Sequence, residues 1–171
     1  MKKNYLVSHL KYWALVLLAF SMTVSCKRTH GKLSTEQSVL VKDSVSRMAI
    51  NIAADISKKG PGAWLNYFED NPNFFMANEG QLVFKDYQSA KTFILNTLVK
   101  NIPVIKLRWD NLRVDPLTAR LASIGADFHE DQVTSGGKKL SYDGYFTGIA
   151  HYDGHGWKLR NTHWSIKVPN K

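Results

Sequence analysis

Gly148-Ile149-Ala150-His151-Tyr152-Asp153-Gly154-His155-Gly156-Trp157-Lys158-Leu159-Arg160-Asn161-Thr162-His163-Trp164-Ser165 is the stretch whose reading decides the fold. Two runs able to alternate in and out of a sheet flank Asp153-Gly154, a turn dipeptide whose glycine accepts positive φ at little steric cost. The spacing predicts a β-hairpin.

Upstream of this hairpin, Gly136-Gly137-Lys138-Lys139 predicts another turn. Two long alternating segments precede it, residues 104–114 and 118–130, expected as strands separated by a turn at Asp115-Pro116-Leu117. Asp86 is placed to cap a helix over residues 87–101, with Ala90, Phe93, Ile94, Leu98 and Val99 inward and Pro103 closing it. Phe74-Phe75-Met76-Ala77 and Leu82-Val83-Phe84 read as short strands around Asn78-Glu79-Gly80. Residues 63–68 predict a short helix with Trp64 and Phe68 one turn apart on a buried face. Further back, Ser34 and Gln37 have capping-box spacing. The apolar residues after them, Val41, Val45, Met48, Ala49, Ile52 and Ile56, recur at three- and four-residue steps and predict a long helix, ended by Gly60-Pro61-Gly62.

The order is ααββαββββ, which predicts an α+β domain in which a sheet packs on its helices. This order resembles the SnoaL-like branch of the nuclear transport factor 2 superfamily over roughly residues 34–168, as does the pattern Thr147, Ile149, Asp-Gly, Gly-Trp-Lys-Leu and closing His-x-Ser. The resemblance implies a cystatin-like cone: a strongly curved, mostly antiparallel sheet wrapped around a long N-terminal helix, with one pocket inside. It also implies homodimers paired through the outer sheet face, for which the face carrying Trp164 and Ile166 is the expected surface. Ketosteroid-isomerase relatives place a carboxylate base near the end of the first strand. Here that region reads Phe74-Phe75-Met76-Ala77-Asn78, with no acid before Glu79, so the base is not carried over.

The chain begins with Lys2, Lys3 and Lys11 and a short apolar run over residues 12–20, which together read as a secretory signal too short to span a bilayer. Thr23-Val24-Ser25-Cys26 resembles the lipobox of bacterial lipoproteins. The expected organisation is a signal peptide over residues 1–25, a polar tether over 26–33 and one domain over 34–171. Cys26 is then a lipidated N-terminus that anchors the protein in the cell envelope, on the periplasmic or the surface side. It is the only cysteine, so no disulfide forms within the chain. Of the formal charge of +9, the leader holds three lysines. The remaining basic residues are scattered and carry no base-stacking motif, so no nucleic-acid partner is expected.

Candidate site residues come from strand alternation and from the aromatic content. On the last strand Trp157, Leu159, Asn161, His163 and Ser165 share a face, expected to point inward with Trp157 in the core. An inward Asp127 near His163 would orient the ring and raise its pKa for acid or base work; the alternative has Phe128 inward and Asp127 solvated. Trp64, Tyr67, Trp109 and Tyr145 join His163 and Ser165 as expected pocket residues. His151 and His155 are assigned to a surface turn. No histidine spacing matches a zinc signature, and no phosphate loop or nucleophile elbow is present, so neither metal nor cofactor is expected. Two functions stay open: non-catalytic binding of a small apolar ligand or an envelope protein, and an enzyme using His163 with Asp127 or Tyr67.

Overall fold

The computed structural model describes residues 33–168; the expected leader, Cys26 and most of the tether lie outside the described residues. Helix α1 (Thr35–Lys59) starts where its cap predicts: Ser34 Oγ accepts from the Gln37 amide at 3.1 Å, and Gln37 Oε1 accepts from the Ser34 amide at 3.0 Å. All six residues of the predicted stripe are buried. Gly60, at φ +81°, ends the helix in a conformation that costs other residues strain. The predicted short helix is a 3₁₀ turn, Pro61–Asn66, and Trp64 stacks on Phe68 at 5.5 Å.

Strands β1 (Phe75–Asn78) and β2 (Gln81–Phe84) form a hairpin across Glu79-Gly80, both at positive φ. Helix α2 (Tyr87–Phe93) opens on Asp86, whose Oδ1 accepts from the Ser89 amide at 2.7 Å. It continues through a π-turn, Ile94–Leu98, into α3 (Val99–Asn101). Ala90 and Ile94 are buried as expected, but Phe93 and Val99 are 39% and 37% exposed. Beyond Phe93 the widened turn breaks the 3.6-residue period on which the expected position of Val99 rested.

Four long strands complete the chain: β3 (Val104–Thr118), β4 (Leu121–Val133), β5 (Lys139–Tyr152) and β6 (Trp157–Ile166). The sheet order is β2-β1-β6-β5-β4-β3, antiparallel throughout except that β1 and β6 run parallel. The expected turn at Asp115-Pro116-Leu117 is instead the end of β3. That strand lies at the sheet edge, where a proline's missing N–H does not interrupt a ladder on both sides. Helix α1 lies against β3: Trp109 Nε1 donates to the Ala49 carbonyl at 2.8 Å, and Ser57 Oγ accepts from the Leu107 amide at 3.0 Å. Among the described residues no helix is long and apolar enough to cross a membrane.

Two irregularities curve the sheet and set which side chains face the helices. In β3 an extra residue lies between Asp110 and Arg113, with Asn111 at φ +51° and its side-chain amide donating to Asp127 Oδ2 at 2.8 Å. In β6 the register moves from Ala150↔Leu159 to Ile149↔Asn161, so Arg160 is the unpaired residue. Leu159, Thr162 and Trp164 are therefore buried, and the simple alternation expected for this strand is corrected. Trp164, expected outside, is the centre of the core. Its ring lies 4.8 Å from Phe146, 4.9 Å from Phe128 and 5.6 Å from both Trp64 and Trp109. Trp157, expected in the core, is half-buried beside Tyr152. Gly144 permits this packing, because a Cβ there would collide with the Phe128 ring and the Ser165 carbonyl.

Candidate functional site

On β4 the buried residues are Ala122, Ile124, Ala126 and Phe128; Ser123, Gly125, Asp127 and His129 point the other way. The same face continues two and four residues beyond Phe128 to Glu130 and Gln132. Both side chains line a cavity of about 350 Å³ between the inner sheet face, the 3₁₀ turn and the π-turn. Burial grades this lining. Trp64, Phe68, Ile94 and Phe128 are buried and form its floor, whereas Val83, Phe93 and Ile166 are exposed and form its rim.

The polar groups of the cavity converge from four strands. Gln132 Nε2 donates to Glu130 Oε1, and Tyr142 on β5 is the register partner of Glu130. Burial pushes the Glu130 carboxyl above the usual carboxylate range, opposed in part by the hydrogen bond from Gln132. Asn78 and Trp164 are register partners on the parallel β1–β6 pair. Asn78 Oδ1 and Trp164 Nε1 are buried without hydrogen-bond partners among the described residues. Glu130, Gln132 and Asn78 were missed from sequence. Strand alternation from Phe128 puts Glu130 inside.

The residues singled out from sequence are distributed over three places. Trp64 lines the cone cavity. Trp109 packs between α1 and the sheet, its indole N–H held by Ala49. Tyr67 donates to Asp55 Oδ2 at 2.8 Å, and burial together with that carboxylate pushes its phenol up to about 12. Tyr145, His163 and Ser165 lie on the outer face, where Tyr145 and His163 border a shallow groove of about 600 Å³ together with Phe75, Arg113 and Thr147. Asp127 is on the same outer face, in register with Tyr145 and Ser165. His163 is in register with Thr147 and Gly125, one row away. Asp127 bonds Asn111 and lies 3.8 Å from Lys167 Nζ. Trp164 and Ile166, the expected dimer surface, are instead core and cavity rim.

Two histidines have partners that the sequence did not suggest. His151, assigned to a surface turn, places Nδ1 3.0 Å from Oε1 of the buried Glu69. His129 sits between Asp143 at 2.9 Å and Asp131 at 3.3 Å. The hydrogen bond that its ring donates to Asp143, and then the charge of Asp131, raise its pKa, against desolvation. Among the described residues no group of three or more metal-ligating side chains is assembled.

No family model matches the chain, and no curated protein does. Solved structures do. A type 2 hexachlorocyclohexane dehydrochlorinase superposes with a TM-score of 0.64 at 14% identity, over 79% of this chain and 90% of that one. A nuclear transport factor 2-like superfamily protein from Salmonella enterica gives 0.61 at 15%, over 81% and 96%. A type 3 hexachlorocyclohexane dehydrochlorinase from Novosphingobium barchaimii gives 0.63 at 13%, over 79% and 92%. At these identities the likeness is one of fold, and with the helix-backed, strongly curved, unclosed six-stranded sheet it identifies this chain's fold as the nuclear transport factor 2-like cone.

Proposed function

We propose that the cone cavity binds a small, largely apolar ligand, and that the protein does so as an envelope lipoprotein anchored through Cys26. The observation that carries the binding reading is the cavity itself. Its volume of about 350 Å³, aromatic floor and few convergent polar groups fit a small molecule and are too narrow for a folded protein partner. The anchor rests on the sequence of residues 1–26. Gentle extraction from native membranes followed by mass spectrometry tests the reading. A small molecule should copurify in near-stoichiometric amount and be lost from Val83→Trp, which fills the exposed rim while leaving the floor intact. Equal recovery from wild type and Val83→Trp, or no small molecule in either, overturns it.

A second reading, an acid–base enzyme, is favoured by one observation: Glu130 has the raised pKa and the half-buried position on a cavity wall that suit a proton-transfer group. Two of the superposing structures are dehydrochlorinases. In this reading Glu130, rather than His163 or Asp127 on the outer face, exchanges the proton. Turnover of the copurified molecule by wild type, lost in Glu130→Gln with binding retained, distinguishes it from binding alone.

A further inference from the structure

The charge content of the cone cavity is one-sided. Its lining includes a single carboxyl, Glu130, and no lysine, arginine or histidine, although the chain as a whole is strongly basic. The outer-face groove differs, with Arg113, Asp115 and His163 along it. Within the cavity Gln132 donates to Glu130 Oε1, and among the described residues no other side chain donates to that carboxylate. The same cavity is lined by the rings of Trp64, Phe93, Phe128, Tyr142 and Trp164, and aromatic faces carry negative quadrupole potential.

The geometry points to a small protonated amine with an apolar body as the ligand of this cavity, with Glu130 as its counter-ion and the surrounding rings as its cation–π partners. This rests on the cone-cavity binding reading and narrows it to one chemical class. The physical reason is compensation. An ionised carboxylate half-buried against an apolar cavity wall is costly without a partner charge, and here the only side-chain donor to it is an amide. An ammonium supplies the missing charge and the donors, and aromatic faces favour it further once it is desolvated. A carboxylate or phosphate ligand finds no cation in the lining and meets a like charge. A neutral alcohol can donate one hydrogen bond but leaves the carboxylate uncompensated. The direction of the Glu130 pKa agrees, since burial holds the empty site's carboxyl toward its protonated form and a bound ammonium would draw it back.

Three probes with one body test this: 2-phenylethylamine, 2-phenylethanol and phenylacetate, titrated into the full chain by calorimetry with tryptophan fluorescence in parallel. The amine is expected to bind about tenfold or more tighter than the alcohol, with the carboxylate weakest. Glu130→Gln should bring the amine down to the level of the alcohol. The same preference should fade in wild type as pH falls from about 8 to about 4 and Glu130 takes up a proton, a readout that needs no substitution. An amine that binds no tighter than the alcohol overturns the inference and leaves the cone-cavity reading standing. So does a carboxylate that matches the amine, or a preference unaltered by Glu130→Gln and by pH. If none of the three binds, both fall.

Discussion

His151 Nδ1 donates to Glu69 Oε1 at 3.0 Å, joining the far end of β5 to the segment that follows the 3₁₀ turn. Glu69 is buried, its backbone N–H donates to the Leu159 carbonyl at 2.9 Å, and its second carboxylate oxygen is buried without a partner among the described residues. Removing the histidine leaves a buried carboxyl with neither oxygen hydrogen-bonded. His151→Leu should therefore destabilise the fold by about 2–3 kcal/mol, the scale for leaving a buried polar group without its partner. Adding Glu69→Gln should recover much of that loss. Denaturant melts of the two variants check it; a loss under about 1 kcal/mol for His151→Leu would mean the pair is solvated.

The exchange of roles between two tryptophans is measurable. Trp164 is at the centre of four aromatic neighbours and 8% exposed, so Trp164→Ala should cost about 3–5 kcal/mol. Trp157 is half-buried at the hairpin end, so Trp157→Ala should cost no more than about 2 kcal/mol. Equal losses in chemical denaturation would contradict the β6 bulge.

His129 makes stability depend on pH in a definite direction. Asp143 and Asp131 raise its folded pKa above the ordinary 6.5, so the fold prefers the imidazolium. That contribution is complete below the unfolded value and disappears as pH rises through the raised folded value. The Tm difference between wild type and His129→Asn should therefore shrink as pH is taken from about 5 to about 8.5. A gap that stays constant or widens would remove His129 from the account.

Cys26→Ser should release the protein from membranes and abolish acyl-chain incorporation if the lipobox-like stretch is processed as proposed. Palmitate labelling and membrane pelleting are the readouts, and unchanged behaviour in both rules out the anchor.

His163→Gln should leave ligand affinity in the cone within about twofold, because the residue is on the opposite sheet face and distant changes act independently. Turnover lost in His163→Gln while binding persists would revive His163 as the proton carrier.

The helices were legible in the sequence because their signals are local. The stripe of α1, its Ser34–Gln37 box, the Asp86 cap and the Asp153-Gly154 turn each depend on residues a few positions apart. What escaped depends on strand partners. Pro116 reads as a turn until β3 is known to be an edge, and Arg160 reads as an ordinary strand residue until pairing with β5 leaves it over. That one unpaired residue puts Trp164 inside and His163 outside, so an alternation argument carried from Trp157 reaches the wrong face after three positions. Glu130 was within reach: two steps from Phe128, it needed only the choice of Phe128 as the inward residue. The π-turn, which carries Val99 off the expected stripe, had no signal that a helical period could register.

The parallel pairing of β1 with β6 fixes when the cavity can exist. Phe75 pairs alongside Asn161 and Asn78 alongside Trp164, so the cone wall is completed by β6, which follows all the other strands of the sheet in chain order. Until β6 docks, the β1–β2 hairpin has no neighbour joining it to the rest of the sheet. Closing that gap spans most of the domain, a non-local step of the kind that slows folding. A nascent chain stopped short of β6 can thus form α1 and the β3–β4–β5 meander but no cone, and its exposed β5 edge is the template on which either β6 or another chain will pair.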